Sequence, residues 1–218
     1  MAAVAGRGGG LAVRSEEAIR SFIAIPLEAQ AVTDLSRLSQ ALADEVAGDI
    51  RWVRPIHYHL TLKFLGELEL PMVEEVKQAL GDVAGRWAGG FALELRGLGA
   101  FPSPGRARVL WAGACGGTGL ESLRHQVEVA LERLGFPREE RFTSHITLGR
   151  RRSSGASPDV QLSVERHRAW VGWSGRVDRF ALMASRLEPA GPVYRELGLY
   201  RGLAHAGERS SYSQSSGA

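Results

Sequence analysis

Two tetrapeptides constrain this chain more than any other feature: His59-Leu60-Thr61-Leu62 and His145-Ile146-Thr147-Leu148. Each closes a strand-helix-strand pattern. Ser21 to Ile25 is a short apolar run ended by Pro26 and reads as a buried strand. From Glu28 to Val46, the residues Val32, Leu35, Leu38, Leu42 and Val46 recur at three- and four-residue steps, the stripe of a core-facing helix that Gly48 ends. His57 to Leu65 then alternates as a half-buried strand. The second copy runs from a strand at Arg108 to Ala112, through a helix from Leu120 to Leu134 closed by Gly135, to a strand at Ser144 to Leu148. The copies are offset by roughly 86 residues, too long for a common solenoid repeat but suited to a duplicated lobe.

Between and after the copies the punctuation is local. Trp52-Val53 is a brief extended piece broken by Pro55, and Pro71 suits the first turn of a helix carrying Val73, Val76 and Leu80. Phe91 to Leu95 is a strand, and the Pro and Gly cluster from Gly99 to Gly105 marks a rigid surface loop. Arg151 to Asp159 is a polar loop, followed by a short helix near Val164 and strands at Val177 to Ser185 and Val193 to Tyr200. The Gly-rich start lacks the apolar core of a secretory signal, and the Ser-rich end is polar. The expected organisation is therefore a disordered leader over 1–18, one two-lobed domain over 19–203 and a disordered tail over 204–218.

Composition narrows the classes. At 44% hydrophobic and 23% charged, 218 residues can bury a core, and no apolar run approaches a membrane span. Cys115 is the sole cysteine, which rules out an intrachain disulfide and a thiolate zinc cluster and makes a reducing, cytoplasmic setting the expectation. A net charge of +3 favours anionic partners without the dense basic tract of a nucleic-acid-binding tail.

In each tetrapeptide the two-residue strand period sends the histidine and threonine to one face and the aliphatic pair to the other. An imidazole and a hydroxyl on an accessible face can hold an anion. One such segment is usually a packed strand; two at the same place in a duplicated unit are a specific signal. His59-Leu-Thr-Leu-Lys-Phe-Leu-Gly66 and His145-Ile-Thr-Leu-Gly-Arg150 resemble the paired signatures of the two-histidine (2H) phosphoesterases. More narrowly, the chain resembles the RNA 2′,3′-cyclic phosphodiesterases first named 2′-5′ RNA ligases. Phe22 to Pro26, Arg51-Trp-Val53, Gly97 to Pro102, Arg108 to Trp111 and Val177 to Phe180 match as well, so the likeness spans about Arg20 to Tyr200.

The resemblance implies an α+β fold of two similar lobes, each an antiparallel sheet with outer helices, around a central cleft. It implies hydrolysis of RNA 2′,3′-cyclic phosphate ends to 2′-phosphates, with His59 as proton donor and His145 as proton acceptor. Thr61, Thr147 and Arg150 are the expected phosphate-binding residues. No metal, no cofactor and no obligate protein partner are expected, and a monomer is. Reversible 2′-5′ RNA ligation at the same site and a non-catalytic nucleotide-binding module are the alternatives. The chemistry suits the residue types: imidazole ionises near pH 6.5, so one ring can give a proton while the other takes one.

Several residues keep two readings. His57-Tyr-His59 fits a metal pair with His145 as third ligand, though no nearby carboxylate completes a set, and His57 otherwise lies at the cleft edge or surface. Lys63 either continues the His59 face toward a phosphate or is a solvated strand-end lysine. Arg106 and Arg108 are either ordinary surface arginines or contacts to an RNA backbone. Phe22 and Phe101 either stack a base or pack into the core and the loop.

Overall fold

The computed structural model describes residues 18–47, 50–152, 155–188 and 191–203; the expected tail and all but the last residue of the expected leader lie outside the described residues. In chain order the elements are β1 (Ile19–Pro26), α1 (Ala29–Glu45), β2 (Ile50–Trp52), β3 (His59–Leu68), α2 (Leu70–Ala84), β4 (Phe91–Phe101) and β5 (Val109–Cys115). α3 (Gly117–Glu132), β6 (His145–Arg151), α4 (Pro158–His167), β7 (Val171–Val177), β8 (Arg179–Glu188) and β9 (Gly191–Arg201) follow. The strands form two antiparallel sheets, one ordered β3-β1-β8-β9 and the other β2-β6-β5-β4-β7. β1 pairs with β3 as β5 pairs with β6, so each motif strand has the same neighbour in its own copy.

The helices form where the stripes foretell them. α1 buries Ala31, Leu35, Leu38 and Leu42, α2 has Pro71 in its first turn and buries Val73, Val76 and Leu80, and α3 buries Leu120, Leu123, Val127 and Leu131. Gly135 follows α3 at a φ of 89°, a conformation that costs glycine nothing. No described helix is long and apolar enough to cross a membrane. One continuous core serves both sheets. α1, which follows β1, packs on β6, β7 and α4 of the other sheet, and β2 from the first copy pairs with β6 of the second. The lobes are therefore interlocked.

Two expectations change. The Gly99–Gly105 loop is shorter, because β4 runs on to Phe101 in pairing with β5. Gly99 is a strand glycine there: a Cβ would collide with the Trp111 indole lying across it. β7 carries no alternation in its sequence. Among the described residues it is an edge strand paired with β4 alone, it is exposed at three of its seven residues, and its Gly172 and Gly175 are covered by Trp170 and Trp173.

Candidate active site

The site is built where β3 and β6 approach each other. His59 and His145 open these strands, and both are held in the same way. His59 Nδ1 lies 2.7 Å from the His57 carbonyl oxygen, and His145 Nδ1 lies 2.7 Å from that of Thr143. A carbonyl only accepts, so each Nδ1 carries the hydrogen and donates it. This fixes the tautomer and leaves each Nε2 as the exchangeable position. The two rings thus present the same nitrogen for chemistry.

Both motif strands also contain the same irregularity. Thr61 pairs with Ala24 and Lys63 with Ile23, leaving Leu62 as an extra residue; Thr147 pairs with Trp111 and Gly149 with Leu110, leaving Leu148 extra. A bulge of this kind reverses the alternation beyond it. Leu62 and Lys63 are therefore both buried, as are Leu148 and Gly149, while Phe64 and Arg150 return to the exposed side with the histidines and threonines. In a regular strand Arg150 would point into the core. Among the described residues no protein group bonds the Thr61 or Thr147 hydroxyl.

The charges of these groups act on one another. Burial pushes the His59 imidazole below its usual pKa, the bond to the His57 carbonyl raises it, and the charges of His57, His145 and Arg150 lower it further. His145 is also lowered, first by burial and then by Arg150, against the raising effect of the Thr143 carbonyl. Arg150 is thus close enough to act on both rings.

Lys63 corrects both of its readings. It is 3% exposed, and its ammonium donates to Glu128 Oε2 at 2.8 Å and to the Pro137 carbonyl at 2.7 Å. Arg124 joins the same carboxylate at 3.2 Å, donates to the Glu139 carbonyl and stacks on Phe142. The bulge after Thr61 is what turns Lys63 inward. The network ties β3 to α3 and to the segment that ends at Thr143, whose carbonyl orients His145.

His57 lies in a 3-10 turn, Pro55–His57, and not in the strand, so the shared-face argument for an HxH metal pair fails. Its carbonyl holds His59, and its ring packs edge-on against Tyr194 at 4.9 Å. Among the described residues no three His, Cys, Asp or Glu side chains form a group that could hold a metal ion. Arg106 and Arg108 are exposed, in the turn Pro104–Arg106 and just before β5. Phe22 is buried 4.9 Å from the His59 ring, and Phe101 packs edge-on at 5.0 Å from His145.

Tyr194 was not singled out in the sequence. From β9 it packs 5.3 Å from both His59 and Phe22, and burial pushes its phenol up while Arg150 and Arg20 pull it down. Its only sequence signal was its place in an alternating strand.

Two interlocked antiparallel sheets that present paired histidine strands to one another define a two-histidine phosphoesterase. The sequence profile of the family described as LigT like Phosphoesterase matches residues 25–111 and 115–194. The chain belongs to that family. It is 37% identical over 166 residues to the RNA 2′,3′-cyclic phosphodiesterase of Aeropyrum pernix, covering 75% of this chain and 92% of that protein. The crystal structure of TT0787 of Thermus thermophilus matches with a TM-score of 0.72 and 28% identity, over 84% of this chain and 97% of that one. E. coli LigT complexed with 3′-AMP matches with a TM-score of 0.66 and 25% identity, over 86% and 99%.

Proposed function

We propose that the protein hydrolyses the 2′,3′-cyclic phosphate at the 3′ end of RNA to a 2′-phosphate, with His59 as the acid and His145 as the base. The matched tethering of both Nδ1 atoms to backbone carbonyls carries the reading, because it frees Nε2 of each ring to hold or release a proton without ring motion. The names and bound nucleotide of the relatives point to the same substrate class.

In the reaction, His145 Nε2 takes a proton from water as its oxygen bonds to phosphorus. The bond from phosphorus to the 3′ oxygen breaks, and His59 Nε2 gives that oxygen its proton. His145 leaves the step charged and His59 neutral; exchange with solvent restores both. Thr61 and Thr147 donate to the non-bridging oxygens, and Arg150 offsets the charge that grows on them. Both imidazoles are held below their usual pKa in the free protein, so the anionic substrate itself favours the proton on His59.

Side chains supply every function in this scheme, so turnover of an oligonucleotide with a 2′,3′-cyclic end should persist in EDTA. Chromatography against 2′- and 3′-phosphate standards reads the direction: a 2′-phosphate is expected. A dominant 3′-phosphate would exchange the roles of the two histidines, and loss of activity in EDTA with recovery on adding a divalent ion would end the side-chain-only mechanism.

A further inference from the structure

β2 and β6 set Arg51 directly opposite Arg150. Residues opposed across an antiparallel pair share a face. The next pair, Trp52 and Gly149, faces the core, where Trp52 and Ile50 cover the glycine. The two arginines therefore face outward together, on the side that carries His145 and Thr147, and both are exposed. Neither is paired with a carboxylate among the described residues. Like charges directly opposed on a sheet destabilise it, and no carboxylate among the described residues offsets this pair.

Arg150 acts on the two histidines; Arg51 reaches the other way. A Cβ on Gly191 would lie 2.5 Å from Arg51 Nη2, so the guanidinium rests over the backbone that begins β9 in the opposite sheet. Gly191 has a φ of 129°, open in practice to glycine alone, and this lets the guanidinium lie close. Arg51 therefore spans from one sheet to the other, one strand beyond Arg150. Adjacent strands are about 4.8 Å apart, well within the sweep of two arginine side chains, so the pair can meet two successive anions.

We propose that Arg51 forms a second phosphate subsite, next to Arg150, which takes the phosphodiester immediately 5′ of the cyclic end. The inference rests on the cyclic phosphodiesterase reading. A cyclic phosphate closes the 3′ end of its strand, so the only neighbouring phosphate is upstream. A mononucleotide has none. Arg51 thus makes the protein a reader of RNA strands and gives a free nucleoside cyclic phosphate a disadvantage.

The test compares kcat/KM for a dinucleotide ending in a 2′,3′-cyclic phosphate with that for a nucleoside 2′,3′-cyclic phosphate, in wild type and in Arg51→Gln. Wild type should prefer the dinucleotide, and the substitution should cut that preference about tenfold, mainly through KM, the scale of a charge-assisted hydrogen bond. The wild-type dinucleotide reaction should also be steeper in salt than the mononucleotide reaction, by a log-log slope of about 0.7 for one single-strand phosphate. Arg51→Gln should abolish that extra slope and Arg51→Lys should keep it. Equal losses on both substrates, or an unmoved ratio, would overturn the subsite. Wild type that opens both substrates with no preference would sink this inference alone; wild type that opens neither would remove the underlying function as well.

Discussion

The two motif strands agree through four residues and then part. Each histidine is tied to the carbonyl two residues before it, and each fourth residue is an extra, bulged leucine. At the fifth position one strand sends Lys63 inward to Glu128 and the other has Gly149 under Ile50 and Trp52. At the sixth, one exposes Phe64 and the other Arg150. The shared part gives two imidazoles that can exchange roles; the divergent part makes their surroundings differ. His59 sits among Phe22, His57 and Tyr194, and the charges of His57, His145 and Arg150 oppose its protonation; that of His145 is opposed by Arg150 and, since repulsion between the two rings is mutual, by His59. The proposed acid is thus the ring with more positive neighbours. Such a ring holds its proton less often but yields it more readily once the substrate phosphate has brought it there.

The fifth position should give the largest effect. Lys63→Met leaves the buried Glu128 carboxylate to Arg124 alone, which should cost about 3 kcal/mol, the lower end of what breaking a buried pair costs. The double variant Lys63→Met/Glu128→Gln should recover much of the loss. Gly149→Ala, the equivalent site, should cost about 1–3 kcal/mol by overpacking, since its Cβ would stand 2.7 Å from Ile50 and 3.0 Å from Trp52. Denaturant titration separates the two cases. Equal, small losses at both sites would erase the distinction drawn between the lobes.

The histidines come next. His59→Ala and His145→Ala should each lower turnover at least about a hundredfold while staying folded, because both rings lie at the open meeting of β3 and β6. Together they should cost much less than the product of the two, as groups of one proton relay do. A soluble variant with near-normal turnover would remove that histidine from the reaction.

How far the sequence carried this comparison depends on distance along the chain. The facing of His59 and Thr61, and of His145 and Thr147, follows from the strand period and holds. The bulges do not, because an extra residue is a property of the pairing with β1 or β5 and leaves no mark in an alternating pattern. Lys63 was therefore expected on the wrong side, and its partner Glu128 lies 65 residues away on a helix. The helices were legible from their own stripes. β7 was not, since this edge strand, Val-Gly-Trp-Ser-Gly-Arg-Val, interrupts its apolar residues with two glycines and so shows no apolar alternation. Tyr194 reaches the site from β9 at the opposite edge of the sheet from β3, a placement that only the β3-β1-β8-β9 order provides.

Smaller changes are expected from the hydroxyls. Thr61→Val and Thr147→Val should each lower kcat about tenfold with little change in KM, because their hydrogen bonds strengthen as charge builds on the phosphate oxygens. A rise in KM at constant kcat would instead make them ground-state anchors, and the two lobes would then differ in function if only one behaved so.

The smallest effect is a shift along the pH axis, and its direction can be worked out. Activity from free enzyme and substrate requires the base neutral and the acid protonated, so the limbs of the kcat/KM profile follow the two histidines. Both are lowered from 6.5, and the optimum should accordingly lie on the acid side of that value. Arg150 lowers both, by repelling a second positive charge. Arg150→Gln removes that repulsion, so both limbs should move to higher pH even as the maximum rate falls. Burial remains the first cause at each ring, which keeps the displacement small. The acid and base limbs should move together, because the same guanidinium faces both imidazoles. A profile that shifts on one limb only would place Arg150 beside one histidine and break the symmetry of the site at its sixth position; a profile that falls in height without moving would leave Arg150 a phosphate contact with no hold on either proton.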